Sequence, residues 1–255
     1  MSRNYELLRQ AQRSISDRAP IGPTLLPVPV SRAKRNSSLP SGAGIDVEKI
    51  TREESLKLVQ SLFLLNGAAN RVVLFAGVDS GSGCSLVCVG AAETLAQNTS
   101  GAVCLVDVNF RAPSLPEAFG TTNHYGLSDS LLKEGPVRHF AKLLLPRNLW
   151  LLSCGSAANE STALLNSEKM KSRIQELRSE FDYVLLDAPP LSTYADAVAL
   201  GQLADGIVLV LEAHSTKREA AVRVADHLRA ANVKILGAVF NKRTFPIPES
   251  LYQLL

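Results

Sequence analysis

Gly77-Val78-Asp79-Ser80-Gly81-Ser82-Gly83-Cys84-Ser85 is the stretch that decides how this chain is read. It follows the strand-like run at 71–76 and precedes an alanine-rich helical pattern that begins at Ser85. A strand, a glycine-rich turn and a helix N-terminus together form a nest of backbone N–H groups that suits an anion. Gly81 and Gly83 let the backbone approach phosphate oxygens closely, and Ser85 offers a hydroxyl for Mg²⁺. One position departs from the pattern. Cys84 stands where such loops carry a lysine, and a thiol places no positive charge on a phosphate. A glycine-rich turn by itself is as compatible with an empty loop as with a phosphate site.

Outward from that loop, apolar strand patterns alternate with amphipathic helix patterns. Strands are predicted at 72–76, 103–108, 149–152, 183–187, 207–211 and 235–241. Helices are predicted at 51–65, 85–97, 168–179, 196–203, 216–231 and, in the tail, 249–254. Near-continuous apolar strands ending in polar residues predict an α/β fold, with a mainly parallel sheet covered by helices on both faces. Ligands in such sheets bind beyond the strand C-termini. Three marked residues fall there: Asp107 in Leu105-Val106-Asp107-Val108-Asn109-Phe110-Arg111-Ala112-Pro113, Asp187 before Ala188-Pro189-Pro190, and Asn241. An acid at such a point can hold Mg²⁺ or its water, and an amide can read a base edge. Each is equally what a polar strand end looks like in a ligand-free protein. Their order along the chain is more specific than any one of them.

Composition bounds the rest. With 255 residues, 46% of them hydrophobic, the chain can bury a substantial core in one domain, assigned to 46–255. Residues 1–45 are predicted to hold a short amphipathic helix at 2–16 and a flexible proline-rich linker. The basic cluster Arg32, Lys34 and Arg35 in that linker reads as solvated. A net charge of +3 gives no reason to expect a nucleic-acid partner. Four cysteines without a CxxC pair fit free thiols in a reducing compartment, and the four histidines show no zinc spacing. No apolar run reaches membrane-spanning length and the N-terminus lacks a signal-peptide core, so a cytoplasmic protein is expected. Cys84 itself has two readings: a neutral filler, or a thiol whose pKa is lowered by the helix N-terminus.

Taken in order, these segments resemble the cytoplasmic P-loop domain of bacterial tyrosine kinases of capsule and exopolysaccharide synthesis, relatives of the MinD/ParA ATPases. The resemblance covers roughly 50–243: the loop at 77–86, the DxNxRxP run at 107–113, FDYVLLDAPP at 181–190, LWLLSCG at 149–155, ADGIVLVLEA at 204–213 and LGAVFNKR at 236–243. It implies a P-loop NTPase fold and ATP with Mg²⁺ as cofactors. It implies a membrane polysaccharide chain-length regulator, or co-polymerase, as partner at the inner face of the membrane, and a homo-oligomer. Carried over by residue, Gly81, Ser82, Gly83, Cys84, Ser85 and Leu86 would cradle phosphates and Asn241 would contact the base. Ser85, Asp107 and Asp187 would hold the metal. Asp107 would also be the general base, with Asp187 the second catalytic carboxylate.

Several departures point one way. Beside Cys84, Val78 replaces the small residue that opens the loop, Asp79 stands where MinD/ParA relatives carry a further lysine, and Asn109 replaces a second acid. The family's oligomer-forming ExxRxxR helix reads Glu54-Ser55-Leu56-Lys57-Leu58-Val59-Gln60, and the tail carries one tyrosine, Tyr252. The expectation is a nucleotide-binding-fold regulator with weak or absent kinase activity. The alternatives are an active autokinase or ATPase using a substitute cation such as Arg111 or Lys242, and a scaffold that binds no nucleotide.

Overall fold

The computed structural model of the protein describes residues 47–64, 70–144, 148–156, 165 and 167–243. The expected helix at 2–16, the linker with its basic cluster, the helix at 249–254 and Tyr252 lie outside the described residues.

Among the described residues, seven strands form one sheet: β1 Val72–Gly77, β2 Val103–Asp107, β3 Lys142–Leu144, β4 Leu149–Leu152, β5 Tyr183–Ala188, β6 Gly206–Glu212 and β7 Ile235–Asn241. Their spatial order is β3-β4-β2-β5-β1-β6-β7. All pairings are parallel except that of β3 with β4. The six predicted strands match to within a residue at either end. β3 was not anticipated: it is a short edge strand, largely exposed, and it exists because β4 offers it a ladder.

The helices are α1 Val47–Val59, extended by a π-helical turn at Gln60–Leu64, then α2 Cys84–Asn98, α3 Leu115–Ala118, α4 Leu127–Leu132, α5 Glu168–Glu180, α6 Asp196–Gly201 and α7 Arg218–Ala230. A 3₁₀ turn occupies Val137–Phe140. The helix predicted from 51 starts at Val47, since Val47-Glu48-Lys49-Ile50 contains no breaker and α1 simply continues through it. The two short helices α3 and α4 carry too few turns to show a period. Among the described residues no helix is long and apolar enough to cross a membrane.

Strand alternation divides the core into two layers. Val72, Leu74 and Ala76 of β1 face the side that α5, α6 and α7 cover through Ile174, Leu200 and Leu228. Val73 and Phe75 face the other side, where α1 and α2 pack through Val59, Cys88, Ala92 and Leu95. α1 and α2 are in contact at Gly90, where an added Cβ would stand 3.7 Å from the Ser55 hydroxyl, an ordinary van der Waals distance. Each fully buried Leu or Phe in these layers contributes about 2 kcal/mol. Parity also places chemistry. Val103, Leu105 and Leu185 belong to the α2 layer, so two residues on from Leu105 and Leu185 both Asp107 and Asp187 turn toward α2.

Candidate functional site

The loop between β1 and α2 is held from three sides. Val78, which replaces a small residue, is fully buried in the core, and its N–H donates to Val210 O of β6 at 3.0 Å. The carbonyls of Gly77 and Val78 accept from Leu191 N (2.9 Å) and Ser192 N (3.0 Å) in the segment after β5. Asn241, at the end of β7, donates from Nδ2 to Ser82 O at 2.9 Å. Gly81 and Gly83 are both left-handed, with φ of 82° and 80°. A Cβ at Gly83 would collide with Asn241 Nδ2, whereas one at Gly81 would meet open space. The backbone at Gly81 is therefore open on one side, where an anion could approach its N–H groups, while Asn241 and the segment after β5 hold the other side.

Asp107 and Asp187 are brought together as expected, register neighbours on β2 and β5 and both fully buried. Their partners differ. Asp107 Oδ1 accepts from Asn109 N (3.1 Å), and Oδ2 accepts from Ser114 N and Leu115 N (3.2 Å each), which also caps α3. Burial raises its pKa to about 6, against the lowering pull of the Cys154 thiol and these three N–H groups. A carboxylate has about four lone-pair positions, so one direction remains open. Asn109, in place of an acid, accepts from Ala112 N at 3.3 Å and closes the turn.

Neither oxygen of Asp187 has a hydrogen-bond partner of normal geometry. Burial, then the charge of Asp107, raises its pKa to about 7; the Ser85 hydroxyl and the Cys84 thiol draw it down only partly. The reciprocal effect decides how Cys84 behaves. The residue is half-buried, with its thiol turned inward to Asp187, and burial and that carboxylate push its pKa well above the ordinary value. A helix N-terminus alone would favour thiolate, but burial and then the facing carboxylate act the other way, which does not fit an activated nucleophile. Cys88, one turn on, is buried and shifted the same way.

Ser82, Gly83, Ser85 and Leu86 all lie on this loop and the first turn of α2, with Ser82 buried and Leu86 exposed. Both suggested substitute cations are engaged. Arg111 donates from Nε (3.1 Å) and Nη2 (3.0 Å) to Asp196 Oδ2, with its guanidinium 4.4 Å from the Tyr194 ring centre. Lys242 donates from Nζ to Glu212 Oε1 at 3.1 Å, and its Cε lies 3.9 Å from where a Cβ at Gly83 would sit. Sequence reasoning missed Leu191, Ser192, Asp196 and Glu212. The double proline signalled a turn after β5 but not which loop its N–H groups would bind.

An oxygen set of Asp187 and the Ser85 hydroxyl, with one open direction on Asp107, suits a hard cation such as Mg²⁺, and the loop's N–H groups suit phosphates. Two orphaned carboxylate oxygens are the strongest sign of a missing cation. Among the described residues no cluster of three or more His, Cys, Asp or Glu could hold a metal alone. That fits an ion that keeps few protein ligands and takes the rest from a nucleotide and water.

Residues 68–253 match the ParA family, described as NUBPL iron-transfer P-loop NTPase. The chain is 32% identical over 169 residues to the tyrosine-protein kinase YwqD of Bacillus subtilis, covering 66% of this chain and 71% of that protein. It is 30% identical over 182 residues to the succinoglycan biosynthesis transport protein ExoP of Rhizobium meliloti, covering 70% of this chain but 23% of the longer protein. The fold is that of the VpsO kinase domain, with a TM-score of 0.69 at 23% identity, covering 77% of this chain and 98% of that domain.

Proposed function

The chain belongs to the ParA family of P-loop NTPases, with bacterial tyrosine kinases among its relatives, and we propose that it is a nucleotide-binding regulator of exopolysaccharide or capsule synthesis with weak or absent kinase turnover. Cys84 supports this reading: its thiol faces Asp187, and burial and that carboxylate keep it protonated, at the loop position where the family resemblance calls for a lysine. The two candidate substitute cations, Arg111 and Lys242, are each held by a carboxylate. Catalysis in such a site is mostly positioning and charge stabilisation. Losing one direct cation removes about 3 kcal/mol of transition-state stabilisation, roughly a hundredfold in rate. Binding suffers less, because the backbone cradle and the metal oxygens remain. In this reading Gly81–Leu86 hold phosphates, Ser85 and Asp187 hold Mg²⁺ with Asp107 beside it, and Asn241 sits at the base end while anchoring the loop. The metal would neutralise phosphate charge.

The partner this reading calls for is a membrane polysaccharide chain-length regulator, with the protein docked at the inner membrane face. The match to one segment of a much longer succinoglycan transport protein supports it. Self-association is the other partner reading. Glu54, on the helix the family uses for it, here pairs with Lys57 of its own helix at 2.8 Å.

The test is Mg·ATP binding by calorimetry, with turnover, for the wild type, Cys84→Lys and Asp187→Ala. Binding without turnover in the wild type, and hydrolysis recovered in Cys84→Lys, are expected. Wild-type turnover abolished by Asp187→Ala would show an active enzyme. Absence of binding would leave a scaffold. One observation favours the active alternative: the Lys242 stem lies beside Gly83. Turnover that Lys242→Ala removes would identify that lysine as the substitute cation.

A further inference from the structure

A concavity of about 200 Å³ opens at the β3–β4 edge of the sheet, away from the phosphate loop. It lies at the C-terminal end of β4, where Lys142 of β3 is registered opposite Leu151. β2 and β5 separate β4 from β1, so roughly 14 Å of sheet lies between this hollow and the strand that carries the loop.

Its polar lining is Thr121, Thr122, His124, His139, Lys142 and Ser153, and no acidic residue lines it. Lys142 donates one N–H to Thr121 Oγ1 at 2.8 Å, and an ammonium has two more donors to give. The walls are fixed before any ligand arrives. Asn123 Oδ1 accepts from Gly155 N (2.8 Å), Thr121 N donates to Pro116 O (2.8 Å), and Ser153 Oγ donates to Tyr125 O (2.9 Å). Tyr125 stacks on Phe140 with centroids 5.0 Å apart and also carries Lys133 4.8 Å from its ring centre, so it forms a wall rather than a stacking platform. A lysine, two imidazoles and several hydroxyl-bearing residues lining one hollow without a carboxylate suit negative charge and hydroxyl groups together.

We propose that this hollow is a second ligand site, for an oxyanion carried on a small polyol, such as a sugar phosphate or a uronate. It stands independently of nucleotide binding at the loop.

The test follows the imidazole signals of His124 and His139 by NMR in the full chain during titration with glucose 6-phosphate, glucuronate and glucose. Both anionic sugars should shift the two signals at millimolar concentration, and glucose should not. Lys142→Ala should weaken the effect at least tenfold, Lys142→Arg should largely keep it, and neither should change Mg·ATP affinity. Preference between the two anions tells a phosphorylated ligand from a carboxylated one. Silence at both histidines with every anion, an equal response to glucose, or undiminished affinity in Lys142→Ala would each overturn the proposal.

Discussion

Asp107 and Asp187 are paired in register across β2 and β5, yet only Asp107 is hydrogen-bonded. Three backbone N–H groups stabilise the first carboxylate, while the second meets a thiol and a hydroxyl without a proper bond to either. Asp187 is thus the acid of the pair left with unmet hydrogen-bonding capacity, and Cys84 faces it.

Stability should therefore depend on pH in a defined sense. Both acids have folded pKa values raised from 3.8, to about 6 and about 7. A raised acid adds stability that is fully present below its unfolded pKa and is lost as pH rises through the folded one. For Asp187 the loss is on the order of 4 kcal/mol at most, at about 1.4 kcal/mol per pKa unit. Without metal, Tm should fall as pH rises from about 4 to about 8. Asp187→Asn should flatten that fall and melt higher at the alkaline end. An unchanged pH slope in thermal melts of the variant, with EDTA present, would rule the account out.

Cys84→Lys acts on the same pair from the other side. An ammonium beside Asp187 favours the carboxylate and lowers its pKa. The variant should lose most of the Asp187 share of the pH dependence and gain hydrolysis by roughly a hundredfold over the wild type. Melts and single-turnover assays read the two effects separately. A lysine that restores neither would show that the chain around the loop has drifted further than residue 84.

The thiol should be sluggish. With its pKa pushed well above the ordinary value, Cys84 holds little thiolate at neutral pH. Iodoacetamide should label it more slowly than a free thiol, and Asp187→Asn should speed the labelling by removing the facing charge. Peptide mapping separates Cys84 from Cys88, Cys104 and Cys154, all of which are buried. Labelling faster than glutathione would contradict the geometry.

The strands were legible because each buries an apolar run flanked by turn residues, and both acids were legible because they end such runs. β3 was not, since Lys142-Leu143-Leu144 has no period of its own and depends on β4. Cys84 stood out in the sequence, but the direction of its shift did not: it depends on burial and on a carboxylate of β5, about a hundred residues away. The hollow at β3–β4 was equally hidden, because its residues come from the segment around 121–125, the 3₁₀ turn, β3 and the end of β4, which meet only through the edge strand. Asn241 stood out as a strand-end amide, but only the fold shows its N–H₂ holding Ser82 O.

That anchor can be tested by a double-mutant cycle. Gly83→Ala forces an L-residue into φ of 80° and drives its Cβ into Asn241 Nδ2. The left-handed backbone alone costs about 1–2 kcal/mol, before any clash. Asn241→Ala loses the bond to Ser82 O, about 1 kcal/mol, but also removes the atom that the new Cβ would strike. The two losses should therefore be less than additive, by about 0.5 kcal/mol or more, where distant sites would simply add. Urea melts of the wild type, both single variants and the double variant measure the coupling. Strict additivity would mean that Asn241 swings free of the loop in solution, and that the rigid cradle is not held from β7.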